Sequence, residues 1–219
     1  MHASARIVAS AGDRLDVLYG EPPLLPRRTG PHEVHFVGGA AGPLGGDRLR
    51  IDLCVRAGAC LVVRSVAATI AYPGRDGALS QLDVHATVES GGRLEWLPEP
   101  LIAVGRCNHR TTSTVDLFAG AALVWRDELV CGRHGEGPGD VRLLTSVHVE
   151  KRPLYVHELA VGPSAPGWSG AAVLGGARVH ASTVYVGTSP PAGAGTVMEL
   201  AGGGTVVTAV GPDLASVRG

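Results

Sequence analysis

Three segments of this chain share one pattern, and that pattern restricts the fold more than any other feature of the sequence. DLCVRAGACLVV, HATVESGGRLEW and TVDLFAGAALVW align on Gly58, Gly91 and Gly120, which recur 33 and 29 residues apart. Val55, Val88 and Leu117 stand three residues before the glycine, and Leu61, Leu94 and Leu123 three after it. Each unit reads as strand, tight turn, strand. Such a unit leaves its edges unpaired and must cover them with its neighbours. Stacked units give a solenoid-like core, and the same copies also fit ordinary hairpins in a sandwich. Both arrangements are all-β: stacked antiparallel strands or hairpins with one or two short helices. The 32 glycines and the single lysine agree with many short strands and tight turns, and no long 3.6-period run argues for helices. At 219 residues the chain suits one domain, residues 1–219.

Around the repeat, strands are expected at Arg6 to Ala11, Leu15 to Tyr19 and Val34 to Val37, with Pro26, Arg27 and Arg28 as an extended connection. The stretch GGAAGPLGGDRL then places Gly38, Gly39, Gly42, Gly45 and Gly46 ahead of Asp47. A phosphate cradle would end in Lys and Ser/Thr and open a helix. Here Leu49, Ile51, Leu53 and Val55 alternate with polar or small residues, so Gly38, Gly39, Gly45 and Gly46 form a structural loop that enters a strand. Farther on, Val141, Leu143, Thr145, Val147 and Val149 alternate as another strand. The Pro/Gly/Ser-rich stretch Gly162 to Gly170 reads as a mobile loop. Strands near Val179 to Val186, Thr196 to Leu200 and Thr205 to Val210 close the domain, and Asp213 can cap a helical turn over LASVR.

A net charge of −1 and a pI near 6.7 provide no field for nucleic acid or an anionic membrane. No apolar run reaches the roughly 18 residues of a membrane span, and the N-terminal residues lack a secretory layout. The expected location is cytoplasmic, with Cys54, Cys60, Cys107 and Cys131 as reduced thiols.

Local signatures of catalysis are absent: there is no GxSxG, no HExxH and no CxxC. His32 and His35 are three apart on a strand and point to opposite faces. Cys107 and His109 are two apart, share a face and could bind a soft metal, which leaves a small all-β metal-dependent enzyme as one alternative. A β-solenoid binding module is another, weakened for sugars by only three Trp and four Tyr. The remaining candidates are carboxylates at strand starts and turns: Asp47, Glu95, Glu99, Asp127, Glu128, Glu136 and Glu158. Any of these buried without an Arg partner is costly, and that cost needs a purpose such as handling a cation.

PLGGDRLRI, the run Ala67 to Tyr72, RLEWLPEPLI (Arg93 to Ile102), VDLFAGAALVWRDELVCGR (Val115 to Arg133), the pair Gly135 and Glu136, and RPLYVHEL (Arg152 to Leu159) stand in an order and spacing that resemble the UreD (UreH) family of urease accessory proteins. The similarity covers about residues 30 to 160. It implies a mainly β, non-enzymatic scaffold that binds apo-urease and recruits UreF and the GTPase UreG for nickel insertion. No cofactor is held tightly; nickel is in transit through an internal polar path. Carried over residue by residue, the resemblance assigns that path to Asp47, Thr69, Asp127 and His157. His157 departs from the family, which has Glu there, although imidazole is a competent nickel ligand. Glu99 also stands where Gln is usual.

Overall fold

The computed structural model describes residues 1–193 and 195–218. Its strands, in chain order, are β1 (His2–Ser10), β2 (Arg14–Gly20), β3 (Leu24–Gly30), β4 (Glu33–Gly38), β5 (Arg48–Val55), β6 (Cys60–Ser65), β7 (Thr69–Ala71), β8 (Ser80–Val88) and β9 (Arg93–Leu97). They continue with β10 (Leu101–Ala103), β11 (Asn108–Leu117), β12 (Ala122–Cys131), β13 (Asp140–Val149), β14 (Arg152–Val161), β15 (Val179–Val186), β16 (Thr196–Glu199) and β17 (Thr205–Gly211). One short helix, α1 (Leu214–Arg218), follows. No helix among the described residues is long and apolar enough to cross a membrane.

Two sheets face each other. The first runs β14-β13-β11-β8-β5-β1-β2, and the second β16-β17-β15-β12-β9-β6-β4-β3, with β10 and β7 paired beside β12. The expected solenoid-like stack is present, and the three repeat units form its middle. Each unit is an arch rather than a hairpin. β5, β8 and β11 lie in the first sheet, and after the glycine the chain crosses to β6, β9 and β12 in the second. Gly58, Gly91 and Gly120 all adopt left-handed backbone, with φ of 65°, 67° and 71°, where a Cβ would be strained. The turns stack on one another: Glu89 N–H donates to the Val55 carbonyl, Phe118 N–H to Val88 and Glu150 N–H to Leu117.

Neighbouring arches therefore pair in parallel, β5 with β8, β8 with β11, β6 with β9 and β9 with β12. The antiparallel pairing expected from the sequence is confined to the margins. Hairpins β1-β2 and β3-β4 close one side, and β13-β14 with the β12-β15-β17-β16 meander closes the other. Residues 26–28 belong to β3 rather than to a connection, because Pro26 can pair at the edge of a sheet, where its missing N–H costs nothing.

Alternation decides which residues face inward. Leu49, Ile51, Leu53 and Val55 are buried, while Arg48 and Arg50 point to solvent. The inner faces form two apolar clusters. The larger includes Ile7, Ile51, Val84, Leu61, Leu94 and the stacked rings of Trp96 and Trp125, 5.2 Å apart. The smaller holds Leu101, Cys107, Leu129, Cys131, Val141 and Leu159. Each fully buried Leu or Val contributes about 1.5–3 kcal/mol. The 162–170 stretch expected to be mobile is a series of turns: Ser164 donates through its N–H and hydroxyl to Asp140, and nearby Leu174 is buried in the smaller cluster.

Candidate functional site

One row of register partners across the first sheet runs Ala5, Ile51, Val84, Ser113, Thr145 and His157. It is apolar on β1, β5 and β8 and polar on β11, β13 and β14. Ser113 and Thr145 are only 1% and 5% exposed, so polar side chains enter the interior between the two clusters. Opposite them in the second sheet, Asp127 on β12 and Ser182 on β15 are register partners. Thr145 donates its hydroxyl to Asp127 Oδ2 at 2.7 Å, tying the two sheets together. A polar seam thus separates the apolar clusters.

Among the described residues Asp127 has no Arg or Lys partner, and burial pushes its carboxyl up to about 6 against a partial lowering by Thr145 and the Trp125 indole. The indole N–H of Trp125, two residues before it, lies near enough to the carboxyl to lower it but makes no hydrogen bond of full geometry. Asp127 also lines a cavity of about 310 Å³ that lies between the two sheets and opens to solvent. Ile51, Val84, Thr111 and Ser113 line it from one side and Trp96 from the other, and Thr69 of β7 adds a hydroxyl-bearing side chain. Val37 and Val66, both exposed, lie at its outer end. Cavity and seam meet at Ser113 and Asp127.

The neighbouring acid on β12 behaves differently. Glu128 is buried, but Arg218 of α1 grips it with hydrogen bonds of 3.0 and 2.5 Å and also reaches Glu99 at 3.1 Å. Its charge is therefore neutralised within the chain, and among the candidate carboxylates Asp127, half-buried on β12, is the one left without a cationic partner.

At the other end of the seam, β14 and β15 bring aromatic and imidazole rings together. Tyr155 stacks on His157 with centres 5.9 Å apart, and His157 on His180 at 6.4 Å. Burial raises the Tyr155 hydroxyl, and the neighbouring Ser182 side chain lowers it in part. Burial lowers His157 and holds His180 down to about 4, so His180 is neutral at pH 7.

Of the residues proposed for a path, Thr69 and Asp127 share the cavity, and His157 lies at the end of the seam that begins at Asp127. Asp47 is not in the cavity lining. Its buried carboxylate accepts the Leu44 N–H at 2.9 Å and pairs with the Met1 amino group at 2.8 Å, bracing the glycine loop. That loop is packed backbone to backbone: a Cβ on Gly45 would lie 2.3 Å from the Gly74 Cα, and Gly46 has a φ of 94°. A Cβ on Gly39 would meet the Leu25 side chain, while Gly38 has open space.

Cys107 and His109, the alternative metal pair, are both buried and already occupied by the protein's own packing and hydrogen bonds. Both ring nitrogens of His109 are engaged, Nδ1 with the Ser80 hydroxyl at 2.8 Å and Nε2 with Thr111 at 3.0 Å. The Cys107 thiol is buried and pushed up to about 11. Among the described residues, no three His, Cys, Asp or Glu side chains gather closely enough to hold an ion.

Sequence reasoning missed Ser113, Thr145, Tyr155, His180 and Ser182. Thr145 carried a signal, since it is the polar member of an otherwise apolar phase from Val141 to Val149. Nothing local marked His180.

A family model described as UreD urease accessory protein matches residues 2–218, well beyond the stretch that carries the motifs. The chain is 42% identical to the urease accessory protein UreD of Streptomyces coelicolor, over 100% of its own length and 93% of the relative's. It is 41% identical to the UreD protein of Streptomyces avermitilis, over 100% and 94%, and 38% identical to that of a Parafrankia species, over 94% and 80%.

Proposed function

The chain belongs to the family of UreD urease accessory proteins, and on that premise we propose that it serves urease maturation as a scaffold with an internal way for nickel. In this reading it binds apo-urease, brings UreF and the GTPase UreG to it, and passes the ion between its two sheets. The observation that carries the reading is Asp127, a half-buried carboxylate desolvated enough to be pushed up to about 6 and without a cationic partner, at the junction of a cavity and a polar seam.

An ionised carboxylate inside a protein is costly, and an arriving cation relieves that cost. Thr69 offers a hydroxyl on the cavity side, Ser113 and Thr145 continue the polar lining, and His157 provides an imidazole at the far end. These are weak, mixed oxygen and nitrogen donors. A moving ion needs sites favourable enough to enter and weak enough to leave. Glu128 is unsuited to the task while Arg218 neutralises it. Asp47 contributes by holding the loop whose Gly38, Gly42 and Pro43 close one end of the cavity.

Co-expression of apo-urease, UreF, UreG and an Asp127→Asn variant tests the reading. The amide keeps the shape and the Thr145 contact but removes the charge. Nickel content and activity of urease should fall about tenfold, while the variant still co-purifies with its partners. Full nickel loading would refute the passage. Loss of the complex would show that Asp127 is structural.

A further inference from the structure

The outer face of the first sheet carries a charge pattern that the passage between the sheets does not use. One row of register partners runs His2, Arg48, Gln81, Arg110 and Arg142 across β1, β5, β8, β11 and β13. Alternation sends these side chains outward: Leu49 and Val141 beside them are buried, while Arg48, Arg110 and Arg142 are exposed. Arg110 and Arg142 are direct neighbours, and like charges side by side on adjacent strands repel. Arg48 and Arg110 have no ion pair among the described residues, and Arg142 makes one of 3.4 Å with Glu158, open to solvent at both ends. Other surface arginines are answered at closer range, Arg50 by Asp52 at 2.7 Å, Arg56 by Glu89 at 2.7 Å and Arg93 by Glu95 at 2.8 Å. At one end of the row, Arg110, Arg142, Ser164 and Ala165 wall a cleft of about 290 Å³. The acid in that cleft, Asp140, is already engaged, accepting the Ser164 N–H at 2.6 Å and its hydroxyl at 2.9 Å.

We propose that this row is a docking surface for an acidic segment of a partner protein, with one carboxylate of that segment seated in the cleft between Arg110 and Arg142. A guanidinium offers a carboxylate two parallel N–H donors, and an incoming acid also relieves the repulsion between the two neighbouring arginines. Adjacent strands lie about 4.8 Å apart, so Arg48, Arg110 and Arg142 form a line of about 14 Å, which four or five extended residues span. Charge complementarity selects the occupant. The positive line is one row wide, because the next row, about 7 Å along the strands, holds Asp83 and Glu158. A single acidic segment fits along it. The broad phosphate surface of a nucleic-acid duplex would meet those acids, and a net charge of −1 supplies no wider attraction. The surface is independent of the passage reading, since it lies on the opposite face of the sheet from the inward-pointing Ser113 and Thr145.

The test uses the full chain and fluorescein-labelled hexaglutamate, followed by fluorescence anisotropy, with hexalysine and oligothymidylate as comparison probes. Hexaglutamate should bind, hexalysine should not, and the binding should weaken as salt is raised. Arg48→Gln, Arg110→Gln and Arg142→Gln together should weaken it about tenfold, while Arg56→Gln and Arg93→Gln, at paired arginines elsewhere, should leave it unaltered. The three positions are exposed, so the thermal midpoint of the triple variant should equal that of the wild type or rise as the repulsion is removed. A fall in that midpoint would assign the arginines to holding the sheet and overturn the surface, as would unchanged affinity for hexaglutamate. Tighter binding of oligothymidylate than of hexaglutamate would identify a nucleic-acid face, and full displacement of the peptide by inorganic phosphate at constant ionic strength a small-anion site; either result refutes the proposal.

Discussion

Asp127 carries a stability cost for which the proposed passage gives a reason. Its carboxyl titrates near 6 in the folded chain against an ordinary 3.8. The folded state therefore binds the proton more tightly than the unfolded state, and stability falls as pH rises between those values. At neutral pH the ionised acid costs up to about 3 kcal/mol. Asp127→Asn should accordingly raise the urea midpoint at pH 7.5, and the gain should vanish below pH 4; equal midpoints at both pH values would contradict the burial cost. His109 and His180 act in the opposite direction. Each is held down to about 4 from 6.5 by burial, so the stability that comes from keeping them neutral is complete above 6.5 and is lost as pH falls towards 4. Two such rings outweigh one acid, and unfolding between pH 6.5 and 4 should show a net loss on the order of 3 kcal/mol. The sequence offered Asp127 as a candidate because of its residue type, but its distinction from Glu128 depends on Arg218, 90 residues away. His180 gained meaning only when β15 was laid opposite β14, a pairing no local pattern encodes.

At the level of elements, the glycine spacing made the stack legible but not its connectivity. A strand, a left-handed turn and a strand describe a hairpin and an arch equally well. What separates them is whether the second strand returns to the first or crosses to the facing sheet, and both leave the same alternation in sequence. Parallel pairing follows from the crossing, since successive arches repeat in the same direction. The loop before β5 makes a sharper prediction. Gly45→Ala would force a methyl group against the backbone of Gly74 and should destabilise the chain by about 1–3 kcal/mol, with Gly46→Ala adding strain at its φ of 94°. Gly38→Ala has open space around it and should leave the thermal midpoint unchanged. A Gly38 variant as damaged as the Gly45 variant would mean that the loop is not packed as described.

Across the whole molecule, the two apolar clusters are kept apart by a layer that a purely structural sandwich would fill with Leu and Val. Ser113, Thr145, Asp127 and Ser182 occupy inward positions where alternation alone calls for apolar side chains, and an apolar replacement of similar size would hold the sheets together at least as well. The central claim is that this polar layer is open to an ion and continuous with the cavity. Its most direct test is Ser113→Leu, which plugs the junction without touching an acid or an imidazole. Nickel per urease active site is then measured by elemental analysis after co-expression with UreF, UreG and apo-urease, in complexes of unchanged composition. The account predicts urease that is largely empty of nickel. Urease loaded to the wild-type level by the plugged chain would contradict it.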